Sequence, residues 1–332
     1  MKRIFYFDNI KGLLILFVVL AHTLGICSSY YDFSHDWFKI ITFFMMPLFI
    51  FVTGIFARKS KKTPIKRASK MLIIFIIAQV LMTLYYGLVL KTISPFKSII
   101  TPRFTLWYLL TCAWLYLLEY VFRKFKFKYV FIISLLFATL SGFISVITNT
   151  LSLTRTVTAI PFFVLGYYQE DIKLFDKVKK YKTVFFILTL IITVWFLFNQ
   201  DFFLFKDTYL KYSYFVYDTP TECFLKRCLL YVFFFIFSGF ILNIMPRKKT
   251  FLASLGNKTL TIYLLHGVLL KTIARYKLFI NNSVIGTILV YSLVIIITLT
   301  LNFIIKCIKK KILLIKKTIN IPINKTKSVQ RV

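Results

Sequence analysis

Apolar runs of about 20 residues recur along this chain, divided by short, mostly basic connections, and a helical run of that length matches a bilayer's hydrocarbon core. In hydrocarbon each segment must satisfy its own backbone N–H and C=O groups, so such runs are helical. Of 332 residues, 59% are hydrophobic and 19% aromatic, more than a soluble core of this size hides. No Gly-, Ser- or Pro-rich linker interrupts the pattern. The expected fold is all-α: a polytopic membrane helical bundle of about ten transmembrane helices, at roughly 10–27, 38–57, 71–90, 105–122, 129–148, 158–169, 183–200, 226–245, 259–275 and 284–305. The sixth is short, and is expected either to start earlier or to be broken by Pro161. Residues 1–305 are expected to form this transmembrane domain and 306–332 a basic cytoplasmic tail, partly disordered.

Charge gives the orientation. The net charge is +33, and placing the N-terminus in the cytoplasm puts 32 of the 44 Lys and Arg on inside segments. The positive-inside rule then sets both termini in the cytoplasm, which ten spans satisfy. In a soluble protein +33 would point to nucleic acid, but here the bases sit between spans and no basic face is free of them, so no nucleic-acid partner is expected. The tail alternates bases with Ile and Leu and is expected on an anionic inner leaflet, each base gaining about 1 kcal/mol. Five cysteines show neither a Cys-x-x-Cys pair nor a zinc spacing, and no metal is expected. The N-terminal bases followed by an apolar run resemble a secretory leader. A bulky Ile26 before Cys27 and the lack of a small-x-small site make it a retained first span instead. Abundant Lys, Ile, Phe and Asn suggest an AT-rich bacterial genome, hence a multi-pass protein of a bacterial plasma membrane.

The first span carries a histidine deep in its apolar run, His22, and an acid and bases at its inner lip: Arg3, Asp8 and Lys11. An ionisable group in hydrocarbon is costly and usually faces a polar cavity. Lys11 and His22 lie eleven residues apart, nearly three full turns, so they share a helix face roughly 16 Å apart. Asp8 is near the same stripe but about 21 Å from His22 along a straight helix, too far to pair with it. A neutral imidazole can take a proton from a hydroxyl and pass it on. In the ninth span Tyr263 and His266 are three apart and share a face, either lining the same cavity or only holding the bundle together. On the inner side the run from Arg58 to Lys70 is densely cationic, and Arg67 and Lys70, one turn apart at the start of the third span, suit the phosphates of a coenzyme. Arg103, before Leu106-Trp107-Tyr108, and Arg155, before Pro161, mark outer span ends where an acidic acceptor or an interface anchor is expected. Glu119 either snorkels or pairs with Arg123. The outer loop 201–225 clusters acids with Tyr209, Tyr212, Tyr214 and Tyr217, a sugar platform or an aromatic belt. His35, beside Asp32 and Asp36, reads as a surface residue.

In this order these blocks resemble the acyltransferase-3 family of integral-membrane O-acyltransferases, particularly its fucose 4-O-acetylase-like branch. Lys11 and His22 match the family's opening pattern of a base, ten residues and a histidine, and Arg3 and Asp8 also fit. The family's Arg-x-x-Arg is matched as Arg67-Ala-Ser-Lys70, which keeps the charge and loses one bidentate fork. Leu106-Trp107-Tyr108-Leu109, Pro161-Phe162-Phe163 with Gly166-Tyr167, and Leu255-Gly256-Asn257 through His266 resemble three later blocks. The resemblance implies transfer of an acyl group, commonly acetyl, from cytoplasmic acyl-CoA to a hydroxyl of a glycan or other cell-envelope acceptor. It implies His22 as base or relay, with Asp8, Tyr263 and His266 as further catalytic candidates. Lys11, Arg67, Lys70 and Arg3 would meet the coenzyme; Trp107, Arg103 and Arg155 would meet the acceptor. Two other classes fit the same features: a transporter or flippase of a lipid-linked or small envelope substrate, which the lack of internal repeats and the scarcity of intramembrane acids for ion coupling oppose, and a non-catalytic protein on the same fold.

Overall fold

The computed structural model describes residues 5–27, 33–91, 101–144, 150–203, 207, 210–216, 219–278 and 284–319. Among them there is no strand. The chain runs α1 (Phe5–Cys27), α2 (Phe33–Thr42), α3 (Met45–Arg58), α4 (Pro64–Leu84) with a π turn at Tyr85–Val89, α5 (Trp107–Phe122), α6 (Phe127–Leu140), α7 (Leu153–Tyr167), α8 (Leu174–Lys180), α9 (Lys182–Phe198), α10 (Pro220–Ile244), α11 (Phe251–Gly256), α12 (Thr259–Tyr276) and α13 (Val284–Ile319).

A helix lies in each of the ten expected segments. By length and composition alone, five helical stretches among the described residues suffice to cross a membrane: Phe5–Ile26, Trp37–Arg58, Pro64–Val89, Pro220–Ile244 and Val284–Ile308. A sixth is counted if α8 and α9, bent by 71°, form one span. α5 and α6 are apolar but only 16 and 14 residues long, and α7, with 15, is polar at its start as well. α7 begins at Leu153, before the expected start, and its first turns carry Thr154, Arg155, Thr156 and Thr158, which lower its hydropathy. These threonines are buried because their hydroxyls donate to their own helix, Thr156 to Ser152 O at 2.8 Å and Thr158 to Thr154 O at 3.1 Å. Pro161 sits inside α7 without ending it. The expected boundary at 305 is no helix end: α13 continues to Ile319, as no Gly or Pro interrupts the chain before Pro322. Residues 320–332 of the tail, like Arg3, lie outside the described residues.

Large apolar side chains are exposed along α4, α6, α9 and α13, among them Ile73, Leu81, Ile133, Ile191 and Ile285. Water does not tolerate so continuous a surface, whereas lipid tails do. The chain is a multi-pass membrane protein.

Two close helix pairs set the frame. α1 packs on α11, and α3 packs on α7. In the second pair the backbones meet because Gly54 and Gly166 carry no side chain. A Cβ at Gly54 would stand 2.2 Å from Phe163 O, and one at Gly166 would stand 2.0 Å from Phe51 O. Backbone cannot yield as a side-chain tip can, so Gly54→Ala should separate the pair. Thermal melts in detergent should show a clearly lower midpoint; an unchanged midpoint would mean that the contact is looser than drawn.

The two pairs also define the ends of the bundle. Lys11 Nζ lies 5.2 Å over the Phe56 ring, Arg58 lies 5.0 Å over Tyr167, and Lys59 pairs with Glu170 at 2.8 Å. The start of α1 and the ends of α3 and α7 therefore share one rim, rich in bases, expected to face the cytoplasm. At this rim the hydrogen bond from Lys59 holds the Glu170 carboxyl below its ordinary value. The opposite end gathers the end of α1 and the beginnings of α3, α5 and α7.

Candidate active site

A cavity of about 310 Å³ lies at that opposite end. His22 of α1, Trp107 of α5, Arg155 of α7 and Tyr263 of α12 line it, with Phe104, Thr105 and Lys211 from connecting segments. Most of the remaining lining is apolar, including Val18, Ile50 and Phe162. That combination, apolar walls with a few convergent polar groups, is the usual form of a small-molecule site.

His22 is half-buried, its ring 5.4 Å from that of His266 and 4.8 Å from that of Phe104. His266 is fully buried, and its Nδ1 lies 3.0 Å from Ile262 O one turn back on α12. A carbonyl only accepts, so the proton sits on Nδ1 and Nε2 carries the lone pair. That Nε2 is buried with no hydrogen-bond partner among the described residues. The site thus holds two imidazoles, one open to the cavity and one behind it with an unused acceptor.

The segment before α5 is pinned on both sides. Gln79 Nε2 donates to Thr101 O at 2.8 Å and its Oε1 accepts from Arg103 N at 2.9 Å, while the Tyr263 hydroxyl donates to Thr105 O. Between these anchors Phe104 takes φ 43°, a left-handed conformation costly for a bulky residue and of the kind that clusters at functional sites. Its ring is held between His22 and the Lys271 ammonium, 4.9 Å away. Because the Tyr263 hydroxyl serves the Thr105 carbonyl, Tyr263 builds the wall of the site rather than offering a free donor to it.

Arg155 stacks over Trp107, its guanidinium 4.3 Å from the ring. The turn before α7 fixes this placement. Leu151 and Ser152 both have positive φ, Ser152 Oγ lies 3.0 Å from Thr111 Oγ1, and Trp114 Nε1 donates to Leu151 O. Lys211 arrives on the α9–α10 connection, held by Arg227, whose Nη2 donates to Tyr212 O at 2.8 Å and whose guanidinium lies 4.4 Å over Tyr214. Tyr214 itself is buried and donates to Thr139 O at 2.6 Å. Tyr214 therefore presents neither a sugar platform nor an interfacial ring. Tyr209, Tyr217 and the side chain of His35 lie outside the described residues.

The remaining expected site residues lie elsewhere. Asp8 accepts from Lys11 at 2.8 Å at the basic rim, about four helical turns below His22. Arg67 is buried against Glu119 and over the Tyr116 ring at 4.8 Å, and Glu119 also accepts from Arg123 at 2.9 Å. Lys70 is exposed on α4. Arg103 turns its Nε to Thr83 Oγ1 on α4, 3.4 Å away. None of these five lines the cavity, which reaches Val18 one turn below His22. Leu14 and Ile15, both in the core, fill the interval toward Lys11. Sequence reasoning missed Lys211 and Phe104, which carry no local signal, and Arg227, whose signal was a base at the mouth of an apolar run. Among the described residues no group of three or more His, Cys, Asp or Glu is placed to hold a metal ion.

Compared with known proteins, residues 4–307 match the family model of the acyltransferase domain named Acyl_transf_3. No curated protein and no solved structure matches the chain.

Proposed function

The chain belongs to the acyltransferase-3 family and is a membrane acyltransferase; from that premise we propose that it moves an acyl group, acetyl in the simplest case, from acyl-CoA to a hydroxyl of a glycan or other envelope acceptor. The observation that carries this reading is the imidazole of His22, backed by the unused acceptor of His266, in a cavity large enough for a small hydroxyl compound.

In this reading the acceptor hydroxyl lies against His22. Its oxygen attacks the thioester carbonyl as the hydroxyl proton passes to the imidazole. The C–O bond forms, the C–S bond breaks, and the proton returns to the thiolate, so free coenzyme A leaves. His266, its ring 5.4 Å from that of His22 and its Nε2 an unused acceptor, would orient the imidazole as a buried acceptor orients a catalytic histidine elsewhere. The coenzyme's phosphates meet the basic rim at Lys11, with Lys70, exposed on α4, as a further contact, whereas Arg67 is committed to Glu119. For the thioester to reach His22, the packing around Leu14 and Ile15 must open when the donor binds. The plasma membrane of a bacterium, with its anionic inner leaflet, is the setting this chemistry fits.

The test is release of free thiol from acetyl-CoA by the purified protein with envelope extract, together with a product heavier by one acyl unit. Lys11→Ala should raise the donor KM about tenfold and leave kcat nearly unchanged, as loss of one charged phosphate contact implies. A fall in kcat with constant KM would move Lys11 from binding into the chemistry.

A further inference from the structure

Attack of a hydroxyl on a thioester moves the carbonyl π pair onto the carbonyl oxygen, and the resulting oxyanion needs a donor already in place. Four hydroxyls line the cavity, those of Thr42, Thr105, Thr158 and Tyr263. Three are spent on backbone carbonyls. Thr42 Oγ1 donates to Lys39 O at 2.6 Å, Thr158 Oγ1 donates to Thr154 O at 3.1 Å, and the Tyr263 hydroxyl donates to Thr105 O. The fourth, Thr105 Oγ1, is buried with no hydrogen-bond partner among the described residues, and Thr105 is 2% exposed. A buried hydroxyl that bonds to nothing is unfavourable and calls for a reason.

This hydroxyl is held in place from two sides. The carbonyl of its own residue is fixed by Tyr263, and the residue before it is Phe104, whose left-handed backbone sets its ring 4.8 Å from that of His22. Across from this segment Oγ1 lies beside the bare backbone of Gly267 on α12, where a Cβ would stand 3.3 Å from it. Gly267 directly follows His266, whose ring is 5.4 Å from that of His22. Thr105 is thus bracketed by the two rings that neighbour His22, one in its own segment and one on α12.

We propose that Thr105 is a catalytic residue whose hydroxyl donates to the thioester carbonyl oxygen while His22 takes the acceptor's proton. The proposal rests on the acyl-transfer reading above and adds the group that stabilises its transition state. As the new C–O bond forms, the displaced π pair rests on the carbonyl oxygen under the Thr105 donor. The pair then returns to rebuild the carbonyl as the C–S bond breaks, and the thiolate takes the proton held by His22. Thr105 keeps its own proton throughout.

The purified full chain is given acetyl-CoA and envelope extract, and thiol release is followed. Thr105→Val, which keeps the shape and removes the hydroxyl, should lower kcat about 10²–10³-fold and leave the donor KM nearly unchanged. Its melting midpoint should not fall, because the hydroxyl it removes makes no bond in the resting protein. Thr105→Ser, which restores a hydroxyl, should keep most of the activity. The decisive comparison replaces the donor with dithioacetyl-CoA, in which sulfur stands for the carbonyl oxygen and accepts hydrogen bonds weakly. Thr105→Val should slow transfer from acetyl-CoA far more than transfer from this analogue. Equal slowing of both donors, a lowered midpoint or an unchanged kcat in Thr105→Val would each overturn the proposal. Should that variant fail to fold, Thr105→Ala carries the same expectations. Absence of thiol release by the unaltered protein, intact by size-exclusion chromatography, would fell the acyl-transfer reading itself, a result distinct from normal release by the unaltered and Thr105→Val proteins alike.

Discussion

His22→Ala should lower kcat for acyl transfer by about 10²–10⁴-fold, the range that a positioned general base contributes. Binding of acetyl-CoA, measured separately, should change little, because Lys11, proposed to meet the coenzyme's phosphates, lies three helical turns away. The size of the effect follows from the lining of the cavity. Among the described residues His22 is the one titratable side chain there that is neither a cation nor engaged as Tyr263 is. His266 cannot simply take over, because it is fully buried behind His22 with its Nδ1 committed to Ile262 O. His266→Ala should therefore cost less than His22→Ala, and the double variant should cost no more than His22→Ala alone. Additive losses would show two independent roles rather than one oriented base.

Glu119→Ala should be the most destabilising single change in the bundle. Glu119 is 1% exposed and takes hydrogen bonds from Arg67 and Arg123. Arg67 is itself buried, and its Nε and Nη1 already lack partners among the described residues. Removing the carboxylate leaves a buried cation uncompensated, at a cost of about 3–5 kcal/mol. Replacing both partners with apolar residues, Arg67→Met with Glu119→Leu, should recover most of that loss, because the cost belongs to the unpaired charge rather than to the missing bond. Melting midpoints of the three proteins in the same detergent check both statements. If the double replacement is no more stable than Glu119→Ala, the pair has a further structural duty.

The sequence made the helices legible because each apolar run had to satisfy its own backbone, and it made His22 legible because an imidazole in hydrocarbon stands out. It also placed Tyr263 and His266 on one face, and the structure sets that face against His22. What it could not show depends on partners distant in the chain. Arg155 reaches the cavity through a start to α7 that its threonines hid from any hydropathy reading. Phe104 acquires its unusual backbone only because Gln79 and Tyr263 fix the segment on either side. Arg67 read as a free cation for phosphates, yet it is paired with Glu119, 52 residues away. Lys211 joins the site because Arg227 and Tyr214 fold its connection inward.

The central proposal is that an acyl group passes from a donor at the basic rim to an acceptor in the cavity at the other end, with His22 between them. Sealed vesicles containing the purified protein, with acetyl-CoA confined to one side and acceptor extract to the other, test this most directly. Acylated acceptor should form when the two are on opposite sides, with the donor at the face that carries Lys11, and vesicles bearing His22→Ala should form none. Product formed only when donor and acceptor share a compartment would contradict it.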